Sequence, residues 1–331
     1  MSVYTPLDHH DISNILNEYP LGVLNTFSGI SGGIENSNFF INTDTGRYVL
    51  TIFERMSVDE LPYFMGLMQH LAKQGFPSPA VQKRLTGELL FVFVDAQGDI
   101  HHGCIVTCLP GQVLDALNIR QLHDAGMALA RLHRAGSDFS QCRASPNDLP
   151  WLRNQVDDLR TGVQQHYGDA VWQNLSNESS KQLSLPQRNL PTGVIHGDYF
   201  RDNMLFTGDK ISGVIDFYYA HDAPYALDIA IAMNALSVDT QAFDITRPAA
   251  LLAGYNDIRP MHDDEWAALP DLLCLSALRF WVSRLYDAIH PREGGLTTTL
   301  DPKEYHAKLM FHQQYANLTQ ELRALIQKKG E

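Results

Sequence analysis

The sequence predicts an α+β fold in two lobes. The first, residues 1–109, is a small five-stranded antiparallel sheet with a helix; the second, residues 110–331, is larger and mainly helical. Three observations predict it. Short apolar runs broken by glycine-containing turns fill the first third of the chain. Apolar residues at helical spacing dominate after residue 118. One stretch, 193–217, interrupts the helices with strand, polar loop, strand, turn and strand. With 331 residues the chain is long enough to bury a core in each lobe.

In chain order, residues 10–19 suit a short opening helix. Residues 24–30, 38–42 and 48–53 read as strands, with Ser31-Gly32-Gly33 between the first two and a turn at 43–46. Residues 59–74 place Leu61, Phe64, Leu67, Met68 and Leu71 on one helical face; Gly75 ends that helix and Pro77 and Pro79 forbid its continuation. Strands follow at 89–94 and 104–108, and Leu109-Pro110-Gly111 breaks the last one and links the lobes. Residues 119–135 form an amphipathic helix with Leu122, Ala125, Leu129 and Leu132 on its stripe and His133 beside it, a core or capping histidine. Two polar helices are expected around 151–166 and 170–184, then a helix at 225–236 carrying Asp228 among Leu227, Ile229 and Ala230. One or two long helices cover 264–289, and 302–328 closes the chain.

The interrupting stretch carries the chemistry. Val194-Ile195, 204–206 and Val214-Ile215 are its strand pieces and 207–209 its turn. Asp198 therefore lies in a loop, Asn203 at that loop's far end and Asp216 just past a strand, and a hairpin would bring Asn203 and Asp216 close together. Transfer of a phosphoryl group from a nucleotide needs a carboxylate to orient the attacking hydroxyl and hard oxygen ligands to hold Mg²⁺ against the phosphates. Asp198 is placed for the first role, Asn203 and Asp216 for the second. His-x-Asp, four residues, Asn, then a strand ending Asp-Phe is a kinase pattern. A surface loop rich in Asp and Asn is the alternative; two submotifs at the right separation in the right strand context favour the kinase. His196 then orients the loop rather than exchanging protons. Asp228, in an apolar helix, is expected to steady the loop backbone. Ser31-Gly32-Gly33, on its own a plain hairpin, becomes a candidate cover for the phosphates of ATP. The backbone from Thr107 to Leu109 would meet the adenine edge. A Gly-x-x-x-x-Gly-Lys-Ser/Thr loop is absent, which excludes a P-loop nucleotidase.

The order His-Gly-Asp with Ile-Asp-Phe resembles the aminoglycoside phosphotransferase and choline kinase branch rather than the protein kinases. Further stretches resemble the homoserine kinases of that fold: 35–39, 48–51, 64–68, 215–219, 251–255 and 277–287, so that the similarity runs from about residue 3 to about residue 315. The resemblance implies a two-lobed protein-kinase-like fold and transfer of the ATP γ-phosphoryl group, with Mg²⁺, to the side-chain hydroxyl of L-homoserine, on the route to threonine. The Gly-Leu-Gly-Ser-Ser loop of the other homoserine kinase family is absent. One departure stands out. Thr51 occupies the position of the third-strand lysine of kinases, and Phe64 falls near that of its glutamate partner. Thr51 could donate a hydrogen bond to phosphate but no charge, and Arg55 is one candidate substitute.

Homoserine is a zwitterion and needs a cation for its carboxylate and an acceptor for its ammonium group. On the helix at 276–289, Arg279, Ser283 and Tyr286 share a face at i, i+4 and i+7, with Asp287 at its edge and Arg284 to the side. Each arginine is either a substrate ligand or half of a structural ion pair. The alternatives are a kinase of the same fold acting on choline, an aminoglycoside or methylthioribose, and a catalytically silent nucleotide-binding regulator.

Composition sets the outer bounds. A hydrophobic fraction of 44% with 19% charged residues argues against disorder. A net charge of −13 disfavours nucleic acid and anionic membranes as partners. No apolar run reaches the length of a membrane span, and residues 1–6 lack the basic and apolar regions of a signal peptide, so a cytoplasmic protein is expected. Cys104 and Cys108 would share a strand face, but no second pair completes a zinc site; all four cysteines read as buried free thiols. The pairs His9-His10 and His101-His102 lack metal-ligand spacing and read as surface residues. Oligomeric state is not legible.

Overall fold

A computed structural model describes residues 5–30, 36–95, 97–186, 188–290 and 300–328. The chain divides into two compact units. The first is built from residues up to Pro110 and takes in Gly213–Ile215; the second comprises Gly111–Ser212 and most of the chain from Asp216 onward.

The first unit is a five-stranded antiparallel sheet ordered β1-β2-β3-β5-β4, made of β1 (Leu24–Gly29), β2 (Asn36–Thr43), β3 (Arg47–Phe53), β4 (Phe91–Val94) and β5 (Ile100–Thr107). Alternation on the central strands buries Phe39, Ile41, Leu50, Ile52 and Ile105 against Ile12, Ile15 and Leu16 of α1 (His9–Leu16). The capping box of Asp8 and Asp11 starts α1. Helix α2 (Leu61–Lys73) buries the predicted face, Phe64 and Leu67 included. Two cysteine expectations need correction. Cys108 lies one residue beyond β5 and is only partly buried, so it shares no strand face with Cys104, and Cys142 is exposed. His101 is half-buried against Asp95 rather than a surface residue.

The second unit holds α3 (Ile119–Ala135), α4 (Leu149–Tyr167), α5 (Asp169–Ser184), α6 (Tyr225–Leu236), α7 (Thr246–Ile258), α8 (Asp263–Ile289), α9 (Pro302–Gln314) and α10 (Leu318–Gln327). A reciprocal box between Asn118 and Gln121 caps α3, and Asp148 caps α4 through the Trp151 N–H. Helices α4 and α5 are polar outside, but Leu152, Val156, Leu159, Val163 and Leu175 pack on Leu278, Trp281, Val282 and Leu285 of α8. Gly126 on α3 and Gly254 on α7 let these helices touch backbone to backbone: a Cβ at either would strike a carbonyl oxygen of the other helix, that of Leu251 or of His123. The unit also carries two small antiparallel pairs. β6 (Thr192–Ile195) pairs with β9 (His221–Pro224), and β7 (Met204–Thr207) with β8 (Lys210–Val214). Asp124 of α3 anchors the second hairpin through the Ile211 N–H and Lys210 Nζ, each at 2.7 Å. The sequence reading assigned no element to α7 or β9.

Candidate active site

Strand β6 ends at Ile195 and delivers His196, Gly197 and Asp198 into a loop that closes with a 3₁₀ turn at Arg201–Asn203. His196 is fully buried between the rings of Tyr199 and Phe217, with centroids 5.7 and 5.0 Å away. Its Nδ1 accepts the Asp198 N–H at 3.3 Å, so the ring braces the loop. The Asn203 amide donates to both the Asp198 carbonyl and its Oδ2, each at 2.9 Å, which fixes the half-buried carboxylate. With both Nδ2 hydrogens used, the end of Asn203 left for a ligand is its oxygen. Asp216 is exposed and adopts φ 65°, ψ 62°, the one left-handed non-glycine among the described residues, ahead of a 3₁₀ turn at Phe217–Tyr219. Such a conformation costs about 1–3 kcal/mol and survives where the surroundings dictate it.

Behind the loop lies a buried polar network. Asp228 of α6 accepts the His196 N–H (2.8 Å) and His133 Nε2 (3.0 Å) on Oδ2 and the Gly197 N–H (3.0 Å) on Oδ1. His133 of α3 turns its Nδ1 to the Tyr255 hydroxyl at 2.7 Å, and Arg259 donates to that hydroxyl and to both oxygens of buried Glu265. The Arg259 guanidinium also lies over the Tyr225 ring, 4.6 Å from its centroid. Burial pushes the His133 pKa below its ordinary value, against the pull of Asp228, so the ring is a neutral donor to the carboxylate. Burial would raise Asp228, but the hydrogen bonds from His133 and the His196 backbone N–H hold it below the usual carboxylate range. Asp228 thus steadies the loop backbone, as its place in an apolar helix suggested.

The residues proposed for the acceptor fare unequally. Arg279 is buried and makes no hydrogen bond or ion pair with the described residues. Ser283 and Tyr286 are exposed, so the three do not form one buried polar face; helical spacing placed them on a common stripe, but α4 and α9 cover only part of it. Asp287 is partly exposed at the stripe's edge. Arg284 is committed inside the fold: it donates to Glu304 at 2.7 Å and to the Asp301 carbonyl at 3.1 Å and lies over the Tyr305 ring. Its reading as a substrate ligand gives way to a structural ion pair, because α9 supplies the carboxylate.

In the first unit, Thr51 is buried on the central strand and its hydroxyl donates to Asn38 Oδ1 at 2.7 Å, which leaves no donor for a phosphate. Thr107 Oγ1 accepts the Ala80 N–H at 2.9 Å, and Leu109 is partly exposed after β5. Arg55 is exposed. Ser31, Gly32 and Gly33 lie outside the described residues. Sequence reasoning missed His221 of β9 and Tyr305 of α9, each with a buried side-chain polar atom that has no partner. Nothing in their local sequence signals this.

A family profile described as the phosphotransferase enzyme family matches residues 26–268. The homoserine kinase of Parvibaculum lavamentivorans is 38% identical over 323 residues, covering 96% of this chain and 98% of that protein. That of Methylobacillus flagellatus is 40% identical over 318 residues, covering 94% and 95%. The chain belongs to the phosphotransferase enzyme family, on its homoserine kinase branch. Solved structures at lower identity carry the same fold: an amicoumacin kinase in complex with AMP-PNP and Ca²⁺ (TM-score 0.68, 15% identity, 95% of this chain and 94% of that one) and a microcompartment-associated aminopropanol kinase (TM-score 0.65, 17% identity, 94% and 98%). The family's two-lobed, kinase-like α+β architecture is thus the architecture of this chain.

Proposed function

We propose that this chain transfers the γ-phosphoryl group of ATP to the side-chain hydroxyl of L-homoserine, giving O-phosphohomoserine and ADP. The observation that carries the proposal is the held Asp198 carboxylate: its oxygen and its own carbonyl are both tied to Asn203, and the two residues before it hang by their N–H groups from buried Asp228. A fixed, hydrogen-bonded carboxylate suits orientation of an attacking hydroxyl. The acceptor oxygen attacks the γ-phosphorus, the bond from that phosphorus to the bridging oxygen of ADP breaks, and Asp198 takes the hydroxyl proton late. His196, with its Nδ1 occupied by the Asp198 N–H, props the loop and exchanges no proton.

Mg²⁺ fits the oxygen donors present. The free oxygen of Asn203 and the exposed Asp216 carboxylate supply the one or two hard protein ligands that Mg²⁺ usually takes beside phosphate oxygens. Bound there, the ion would neutralise charge on the phosphates. Ser31-Gly32-Gly33 and the backbone of Thr107 and Leu109 remain the proposed nucleotide contacts of the first unit, without Thr51.

The test is ADP release with ATP and Mg²⁺ against homoserine, serine, threonine, choline, methylthioribose and kanamycin. Homoserine should stand out. Asp198→Asn should stay folded, bind nucleotide, and lose about 10²- to 10⁴-fold in turnover. An enzyme idle with homoserine, or a folded Asp198→Asn variant as fast as wild type, would overturn the reading.

A further inference from the structure

Among the described residues of the second unit, five buried side-chain polar atoms have no hydrogen-bond partner, and three of them lie on elements about the catalytic loop: Nε of Arg279, Nε2 of His221 and the hydroxyl of Tyr305. Buried polar groups are nearly always paired, so each orphan calls for an explanation. Three on separate elements, α8, β9 and α9, call for a common one.

Arg279 is 8% exposed, and the carboxylate whose charge acts on it is that of Asp148, an exposed residue already capping α4. Burial pushes the guanidinium down to about 10, which still leaves it cationic at neutral pH. An uncompensated buried cation is costly, and a ligand anion removes that cost.

His221 donates from Nδ1 to the Tyr219 carbonyl at 2.8 Å, so its Nε2 carries a lone pair. Burial, with the charge of Arg279 adding to it, keeps the ring neutral against the pull of that bond. The ring abuts the catalytic loop: a Cβ on Gly197 would lie 3.1 Å from its Cε1, the carbon next to Nε2.

Tyr305 is held by Phe280 and Phe200, with centroids 5.1 and 6.4 Å away, and by the Arg284 guanidinium over its face. Burial raises its hydroxyl pKa, and the Asp198 charge reaches it as well. Phe200 is two residues past Asp198 and packs on Phe280, the neighbour of Arg279.

We infer that Arg279, His221 and Tyr305 form the acceptor subsite, a receptor for the zwitterionic head of an α-amino acid. Arg279 takes the carboxylate through paired N–H donors, the His221 Nε2 lone pair accepts from the ammonium group, and the Tyr305 hydroxyl bonds the side-chain hydroxyl presented to Asp198. The inference rests on the kinase reading above and deepens it by assigning the atoms that read the substrate. The set is complementary in kind: a cation for the anion, a bare lone pair for the cation, and a donor-acceptor hydroxyl beside the catalytic carboxylate. A quaternary or polycationic acceptor would meet Arg279 with like charge. A lysine cannot replace that arginine, since a point charge does not reproduce two parallel hydrogen bonds.

The experiment measures steady-state ADP release for wild type, Arg279→Lys, His221→Gln and Tyr305→Phe, with homoserine, its carboxamide L-homoserinamide, and 4-hydroxybutyrate, which lacks the ammonium group. Wild type should prefer homoserine over either analogue by about ten- to a hundredfold in kcat/KM. Arg279→Lys should raise the homoserine KM about ten- to a hundredfold and leave the ATP KM within about twofold, while costing the carboxamide little. His221→Gln should penalise homoserine more than 4-hydroxybutyrate. Tyr305→Phe, which keeps its ring packing, should lose about three- to tenfold in homoserine kcat/KM. Nucleotide binding by calorimetry checks that each variant is folded. If Arg279→Lys or His221→Gln does not fold, the analogue series on wild type and Tyr305→Phe still decides. Wild type idle with homoserine overturns the kinase reading and this inference together. Wild type active with homoserine but indifferent to the analogues, or an unchanged homoserine KM in folded Arg279→Lys, overturns this inference alone and leaves the three orphans to buried water.

Discussion

The loop at 195–198 has two sides, both buried and built in opposite ways. Behind it, each charged group has its partners: Asp228 accepts three hydrogen bonds, His133 uses both ring nitrogens, and Arg259 is shared between Tyr255 and Glu265. On the other side, Arg279, His221 and Tyr305 each keep one polar atom with no partner. In a low-dielectric interior a satisfied network rigidifies and an unsatisfied one destabilises. The first side is therefore scaffold, and the second is the acceptor subsite inferred above. Equal burial conceals the difference; only the hydrogen-bond bookkeeping reveals it.

The largest break in this comparison should come from the scaffold side. Asp228→Ala strips His133 and the His196 and Gly197 N–H groups of their shared acceptor, and we expect a loss of about 3–5 kcal/mol in unfolding free energy along with activity. Urea titration reads it directly; a loss under about 1 kcal/mol would show that the network carries no load.

Acid should unpick the buried polar groups of the second unit, both the network behind the loop and His312 of α9, which is bonded to Asn234 Oδ1 at 2.6 Å. Burial lowers the pKa of both His133 and His312, the latter to about 4, so the unfolded chain takes up protons that the folded chain refuses. Their stabilising contribution is full above the unfolded histidine value of about 6.5 and shrinks as pH falls below it; His312 alone accounts for about 3 kcal/mol between there and pH 4. Asp228, also lowered, extends the loss below the ordinary carboxylate range. Urea midpoints measured from pH 7.5 down to 4.5 should fall steadily, and a flat profile contradicts the assignment of neutral buried histidines.

The ligand side should answer in the reverse direction. Arg279→Met removes a buried, unpartnered charge and keeps the bulk, so the ligand-free protein should gain about 1–2 kcal/mol even as it loses homoserine. A destabilised Arg279→Met would place a hidden partner on Arg279.

A matched pair sharpens the contrast at the smallest scale. Tyr255→Phe deletes a hydroxyl bonded to His133 and Arg259 and should cost about 1–2 kcal/mol, whereas Tyr305→Phe deletes a hydroxyl with no partner and should leave the ligand-free stability within about 0.5 kcal/mol. Thermal midpoints of the two variants side by side suffice, and equal shifts would erase the distinction.

Much of this was legible in the residues. The boundaries of α3 follow from its caps and its 3.6-residue stripe, and the strands of the first unit from alternation between turns. His196, Asp198, Asn203 and Asp216 fall within one short stretch whose spacing alone suggests phosphoryl transfer. Asp228 stood out as the acid in an apolar helix. Each of these signals is local: it arises from neighbours a few positions away, through hydrogen bonds and side-chain periodicity that the sequence writes directly.

The remainder depended on tertiary structure. β9 escaped notice because its four residues become a strand only by pairing with β6, some thirty positions earlier. Arg279 and Arg284 look alike on one helix, yet Glu304 of α9 engages Arg284, while no described residue hydrogen-bonds Arg279. Thr51 loses its donor to a neighbour on β2. His221 and Tyr305 acquire meaning from the absence of partners, which no single segment can encode. Whether a buried polar group is satisfied is a property of everything packed around it, so the sequence determined the chemistry on offer, and the long-range contacts decided which of those groups the fold keeps for itself and which it leaves for a ligand.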